Sequence, residues 1–470
     1  MINMTLTDIA GVVGGTVHGD PDLVVDGAAY VDSRTPVPGG LYVAIVGERV
    51  DGHDYAAGAH AALGSRPTDA PTVVVADPVV ALGRLARHVL DRLDATVLAL
   101  TGSQGKTGTK DYLAHVLGTA GPTVATAANN NNEIGVPLTV LRADRSTTHL
   151  VVEMGARGIG HIAYLCEIAP PRVAAVINIG TAHIGEFGSR EAIALAKGEI
   201  VESLPASGVA VLNADDDLTA ALDARTDAQV LSFGRDGDVT WRAVELDDLG
   251  RPSFELGHAG EWHAVRLQQS GAHQIGNAAA AAAMAVAVGI PLDEIAEALS
   301  TAETASRWRM EMHERADGML VVNDAYNANP DSMAAAIDTL AGIGRRRGRR
   351  TVAVLGEMKE LGDDHVAAHE EVGHTVAAAG LDVLVVVGEP AEAIATGARS
   401  ETSWKGEVII TASRAEAISW LRQNALSSDV VLTKASRGAA LEEIAEALLA
   451  PAEDPAEDPV EDPAPEGDAS

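Results

Sequence analysis

The decapeptide TGSQGKTGTK, Thr101–Lys110, follows the apolar run ATVLAL at residues 95–100 and leads into an alanine- and leucine-bearing stretch. A strand, a glycine turn and a helix in that order make a phosphate cradle. Gly102 and Gly105 let the backbone wrap an anion with its N–H groups inward, and Ser103 lies between them. Lys106 supplies a point charge, and Thr107, opening the helix, can place its hydroxyl on Mg²⁺. The usual spacing before Gly-Lys is not met, because Leu100 stands where the first glycine of that motif belongs. The competing reading is a plain glycine turn with a surface lysine; the strand before and the helix after favour a nucleotide site.

Working outward, strand-like runs alternate with helical patterns: HLVVEMG from His149, RVAAVINIG from Arg172 and GVAVLNAD from Gly208. Continuous β-branched runs separated by helices predict a parallel, doubly wound sheet covered on both faces. HQIGNAAAAAAMAVAVG, from His273, reads as a helix of the best helix former. A second alternating series begins near Met319 with MLVVNDAYN. It continues through RTVAVLGEM, DVLVVVG, EVIIT and DVVLTKAS to about Leu449, and so predicts a further α/β domain. Before the phosphate loop, short apolar runs such as LYVAIVG and PTVVVAD, separated by turn residues, predict a small mixed α/β unit. The expected division is residues 1–92, 93–312 and 313–450, followed by a Pro/acid-repeat tail at 451–470. The tail buries too little apolar surface to fold and is expected to be disordered, without a catalytic role.

Composition narrows the function. A formal charge of −33 over 470 residues argues against a nucleic-acid or anionic-membrane surface. The single cysteine, Cys166, excludes an intrachain disulfide and a four-cysteine zinc site. No apolar run is long enough for a membrane helix, and the N-terminus lacks the pattern of a signal peptide, so the chain reads as a soluble cytoplasmic protein. Lysine is scarce: Lys106, Lys110, Lys197, Lys359, Lys405 and Lys434 are the only six among 34 basic residues. An open α/β sheet builds its site at the carboxyl ends of its strands. There stand Glu153, ending HLVVEMG, and His183, in TAHIGEFGS, with Lys197 on the next helix. Singly they read as a capping acid, a loop histidine and a surface lysine. Beside a Mg²⁺ on Thr107, the carboxylate and imidazole suit a second divalent cation.

The segments LTGSQGKT, VVEMGA, NIGTAHIGEFGS, AKGEI, LNADD, GAHQIGNAAAA, NDAYNANPDSM, LGEMKELG and TKASRG occur in the order found in the Mur ligases. The chain resembles that family from about Asp32 to Leu449. Within it, NNNNEIGVPLTVL and NDAYNANPDSM resemble the branch that adds D-alanyl-D-alanine to UDP-N-acetylmuramoyl-tripeptide. The resemblance implies a three-domain Mur ligase architecture: a UDP-sugar-binding domain, a central doubly wound P-loop ATPase domain and a C-terminal Rossmann-like domain. It implies an ATP-dependent amide synthesis in which the peptide carboxylate is phosphorylated and the dipeptide amine attacks the acyl phosphate. A monomer using ATP and two Mg²⁺ sites is expected.

By the same resemblance, Gly105, Lys106 and Thr107 contact the β- and γ-phosphates, with Thr107 and Glu153 on one Mg²⁺. His183 matches a ligand of the second. Lys197 matches the lysine that carries a CO₂ adduct, a carbamate whose formation requires a neutral amine and hence a lowered pKa. Asn277 matches the adenine contact. Arg309 and Asp324 match the C-terminal domain's contacts to phosphate and ribose, with Arg307, two residues earlier, a rival for the arginine's role. Ser33 and Arg34 are candidate uridine-side contacts. In the Asn129–Asn132 tract and its surroundings, Thr126, Asn131 and Asn132 are expected at the peptide. Asn327, Asn329, Lys434 and Arg437 are expected to face the zwitterionic dipeptide. Two departures concern the backbone: Ala128 and Ala435 stand where relatives have glycine.

Other readings weigh less. The DNPR motif of the diaminopimelate-adding relative is absent, and folate ligases lack the uridine domain. A nucleotide switch would leave the third domain unexplained, and the guanine-recognition pattern NKXD is missing.

Overall fold

The computed structural model describes residues 1–128, 130–180, 184–303 and 306–450. Three main sheets follow one another along the chain. The first has five strands in the order Thr16–His18, Thr72–Val74, Ala61–Gly64, Leu41–Val43, Ala29–Tyr30. Only its first pairing is antiparallel.

The central sheet has nine strands. From Thr123–Ala125 it runs through His149–Glu153, Thr96–Thr101, Val173–Val176, Val209–Asn213 and Gln229–Phe233 to Val239–Leu246, all parallel. Pro252–His258 and Glu261–Arg266 then extend its edge antiparallel. Thr96–Thr101 sits between strands that come later in the chain, so the direction of winding reverses there. Such a reversal opens a crevice at the carboxyl end of the strand, and the glycine loop grows from that end.

The apolar runs are continuous because each strand is covered on both faces. Val97 and Ala99 join one core with Leu150 and Val152, whereas Leu98 and Leu100 join the opposite core with Val151. The first of these cores continues into the N-terminal unit through the helix Pro78–Leu90, so that unit and the central sheet share apolar packing. The second is closed by the helices Lys106–Ala120 and His273–Ala287. Ala278 to Ala283 are all fully buried there, and their small side chains let the helix lie close to the sheet.

The C-terminal sheet runs Glu311–Glu314, Leu320–Asn323, Val430–Lys434, Thr351–Leu355, Val383–Val387, Glu407–Thr411; its first pair is antiparallel and the rest parallel. Its longest helix, Pro330–Arg347, starts on a capping box in which Asn329 accepts from the Ser332 N–H, with proline in the first turn.

The C-terminal sheet meets the central one at more than the linker near residue 308. The turn after Val239–Leu246 reaches the helix Pro330–Arg347: Asp248 pairs with Arg347 at 2.9 Å, and Leu249 packs on the C-terminal core. Elsewhere Gly185 lies against the backbone of Gly362; a Cβ on Gly185 would stand 2.6 Å from the Gly362 nitrogen.

Candidate active site

The phosphate loop is held by its neighbours before it holds anything else. Asn178, just beyond the strand Val173–Val176, accepts from the N–H groups of Ser103 and Gln104, each at 3.0 Å. It also donates to the Gln104 carbonyl at 3.1 Å. The Ser103 hydroxyl accepts from Gly180 N–H at 2.9 Å. Gly105 has φ +76°, and a Cβ there would come 2.4 Å from Asn277 Oδ1. The loop and the alanine-rich helix therefore approach so closely that only glycine fits, in a conformation only glycine adopts readily. Gly108 meets the same asparagine amide, its ideal Cβ 3.2 Å from Asn277 Nδ2.

Two lysines converge on one carbonyl of this loop. Lys106 Nζ donates to the Gly102 oxygen at 2.6 Å, and Lys197 Nζ, from the helix Arg190–Glu202, donates to the same oxygen at 3.1 Å. Ser189 caps that helix through Ala192 N–H and sets the register that turns Lys197 inward. Lys197 is buried, with its pKa well below the ordinary lysine value, first through desolvation and then through the like charge of Lys106. Lys106 is also lowered: burial outweighs the attraction of Glu153, and Arg309 adds to the lowering.

Glu153 is 1% exposed at the end of its strand. Its carboxylate accepts from the Thr107 hydroxyl at 3.2 Å and from the Asn131 amide at 2.8 Å. Thr126 contributes from behind: its hydroxyl accepts the Glu153 N–H at 3.0 Å, while its carbonyl accepts from the buried Lys110 at 3.0 Å. The Thr107 hydroxyl and the Glu153 carboxylate bring oxygen donors together with a buried negative charge, the donor chemistry of Mg²⁺. Among the described residues no group of three His, Cys, Asp or Glu side chains gathers as a metal site. His183 lies outside the described residues, as do Asn129 and residues 451–470.

From the other side, Arg309 reaches across the domain junction and donates to Thr107 Oγ1 at 3.3 Å. Arg307 is exposed near the Trp308 ring, so of the two arginines it is Arg309 that faces the phosphate loop. Asp324 accepts from Lys434 at 2.6 Å and from Met310 N–H at 3.1 Å, both its carboxylate and the ammonium being buried. Burial draws the Lys434 pKa down, against the pull of Asp324. Lys434 also donates to the Asn327 carbonyl at 2.9 Å. Arg437 pairs with Glu442 and lies over the Trp308 ring.

These groups line one cleft of about 910 Å³ between the central and C-terminal sheets. Ser103, Gly105, Lys106, Thr107, Asn131, Asn132, Glu153, Lys197, Asn277, Arg309, Asp324, Asn327, Asn329, Lys434 and Arg437 all border it. Gly102 and Thr126 do not; they act on it through a carbonyl and a hydroxyl. Ser33 and Arg34 lie outside the cleft, and Arg34 is bound to Asp32 at 2.7 Å. Asn329 also caps its helix, and Asn132 Oδ1 accepts from the Gly135 N–H at 2.9 Å where the helix Gly135–Val140 begins. Ala128 has φ +50°, the left-handed region that favours glycine, and the Ala435 methyl packs against Gly356. Sequence reasoning passed over Asn178 and Tyr326, and it noted Lys110 as one of six scarce lysines without giving it a role. Asn178 had a signal, as a polar residue at the end of a buried apolar strand.

The match to known families agrees with this arrangement. A model of the Mur ligase middle domain matches residues 100–285, and one for the Mur ligase, glutamate ligase domain matches residues 308–437. The chain belongs to the Mur ligase family. It is similar to the UDP-N-acetylmuramoyl-tripeptide–D-alanyl-D-alanine ligase of Mycobacterium tuberculosis (strain H37Rv), 43% identical over 96% of this chain and 98% of that one. The ligase of the same name from Escherichia coli K12 is 37% identical over 95% of this chain and 99% of its own. Among solved structures, MurF from Acinetobacter baumannii superposes with a TM-score of 0.84 at 34% identity, over 95% of this chain and 99% of that one. MurF from Thermotoga maritima in complex with ADP gives 0.76 at 31% identity, over 89% and 96%.

Proposed function

We propose that this chain is an ATP-dependent ligase joining D-alanyl-D-alanine to UDP-N-acetylmuramoyl-tripeptide in the cytoplasm, in peptidoglycan precursor synthesis, as a monomer. The observation that carries the reading is the single cleft in which a phosphate loop, a buried carboxylate and cations from two domains converge. We assign residues 1–92 to the UDP-sugar side, with Ser33 and Arg34 as contacts, 93–312 to ATP and 313–450 to the incoming amine.

A carboxylate is a poor electrophile, and it repels the anionic γ-phosphate that would activate it. Lys106, within the loop, and Arg309, reaching it from the C-terminal body, neutralise charge as phosphate passes to the peptide carboxylate. Asn277 orients the adenine side, and Asp324 the ribose. The donor set fits Mg²⁺, with Thr107 and Glu153 as ligands at one site and His183 and Lys197 at a second. Bound there, the metal supplies Lewis-acid neutralisation of phosphate oxygens. Lys197 suits a CO₂ adduct because desolvation favours its neutral amine, the form that reacts, and a carbamate would replace a charge that repels metal by one that attracts it. Thr126, Asn131 and Asn132 lie on the peptide side. The Asn327, Asn329, Lys434 and Arg437 loops offer amides and cations to the dipeptide, whose amine then attacks the acyl phosphate to give amide and inorganic phosphate.

Phosphate release and product mass, measured with each substrate omitted in turn, test this reading. Release is expected only with ATP, the UDP-tripeptide and the dipeptide together, accompanied by the amide product. Release indifferent to the dipeptide would instead mark a nucleotide switch.

A further inference from the structure

Arg309 stands in a strained piece of linker. Its neighbours Trp308 and Met310 have φ of +58° and +50°, a region L side chains rarely adopt. Such conformations persist where the surroundings over-determine them, and here the surroundings are identifiable. Met310 N–H donates to Asp324 at 3.1 Å, and Tyr326 N–H donates to the Trp308 carbonyl at 3.2 Å. The Arg309 guanidinium carbon lies 4.2 Å from the centroid of the Tyr326 ring, and that of Arg437 lies 4.3 Å from the Trp308 ring. The linker thus interlocks with two strand-end loops, one after Leu320–Asn323 and one after Val430–Lys434, through cation–π pairs running in opposite senses.

The outcome is an arginine aimed out of its own segment. Arg309 reaches Thr107 Oγ1 at 3.3 Å, while its buried Nε–H has no acceptor among the described residues. A long side chain on a linker would otherwise sample many rotamers, and ordering it in advance removes that loss from the reaction. Tyr326 is suited to the task by its ring alone. Its hydroxyl makes no hydrogen bond with the described residues, although the ring borders the cleft.

We propose that Tyr326 is the positioning residue for Arg309: its aromatic face holds the guanidinium at the phosphate loop when the two domains are docked. The proposal rests on the ligase reading above and extends it to a residue with no polar contact of its own to the loop.

The test is a double-mutant cycle on the full chain. Tyr326→Leu is expected to lower kcat roughly tenfold, with the KM values for UDP-tripeptide and dipeptide changing much less. Tyr326→Phe, which keeps the ring, is expected to retain most of kcat. In an Arg309→Ala background, Tyr326→Leu should add less than about a twofold further loss. The same non-additivity is expected in affinity for ADP, which is read without turnover. Equal damage from the phenylalanine and leucine variants would overturn the proposal by pointing to the hydroxyl. An undiminished leucine effect in the Arg309→Ala background would overturn it by removing the arginine from the account. Melting temperatures separate both outcomes from misfolding, and Tyr326→Met replaces the leucine variant if that one unfolds. If the wild-type chain forms no amide, the ligase reading falls by itself, and the ADP cycle still decides the role of Tyr326.

Discussion

Lys106 and Lys197 donate to the same carbonyl oxygen, that of Gly102. Two ammonium groups so close and so poorly solvated oppose each other, and Lys197, the more deeply buried, gives way. Lys197→Ala is expected to bring ligation close to zero, with partial recovery when a short-chain carboxylate is supplied; unchanged turnover would dismiss the carbamate. Stability should move the other way. The folded state favours the neutral amine and the unfolded state the ammonium, so below the ordinary lysine value of 10.5 the unfolded chain binds the extra proton. Lys197→Met is therefore expected to melt higher than wild type at neutral pH, with the gap closing as pH rises toward that value. Calorimetry across pH checks this, and a gap that widens on the alkaline side would contradict it. Taken alone, Lys197 read as a surface lysine; it was singled out by its segment AKGEI, which resembles the Mur ligases. Asn178 and Tyr326 were not, because one serves through backbone amides and the other through a ring face.

Among elements, the parallel strands were legible wherever burial on both faces made them continuous apolar runs: each run quoted from His149 to Lys434 contains an observed strand. The strands Val239–Leu246, Pro252–His258 and Glu261–Arg266 escaped notice, since polar residues interrupt a surface only partly covered. Glu311–Glu314 is short, part-exposed and equally silent. Strand ends also carry the energetic stakes. Lys434 closes its strand on the buried Asp324, an ion pair whose members have left water. Removing one partner strands the other charge, so Asp324→Ala should destabilise the C-terminal domain by about 3–5 kcal/mol. Urea unfolding checks this; a loss limited to nucleotide affinity, with no change in the midpoint, would show that Asp324 serves the ligand alone.

Across the whole molecule, the site is assembled by docking two α/β bodies. Sequence patterns gave each body but not the contacts between them, which lie in turns with no periodicity. Gly185 is one such contact, with room for a hydrogen where a methyl would meet the Gly362 backbone nitrogen at 2.6 Å. Gly185→Val is expected to hold the bodies apart and lower kcat at least tenfold, since misplacing a reacting group by an ångström can reduce rate by more than that. Affinity of the central domain for ADP should change little, and small-angle scattering should report a larger radius; an unaltered kcat would show that this approach is dispensable. The turn at Asp248 and Leu249 adds a further consequence. It grips the long helix Pro330–Arg347 at a point away from both the linker and Gly185, so the outer body is anchored at several places rather than dangling from one. That hold is built by the antiparallel strands that no sequence pattern announced, because the turn between Val239–Leu246 and Pro252–His258 carries both Asp248 and Leu249.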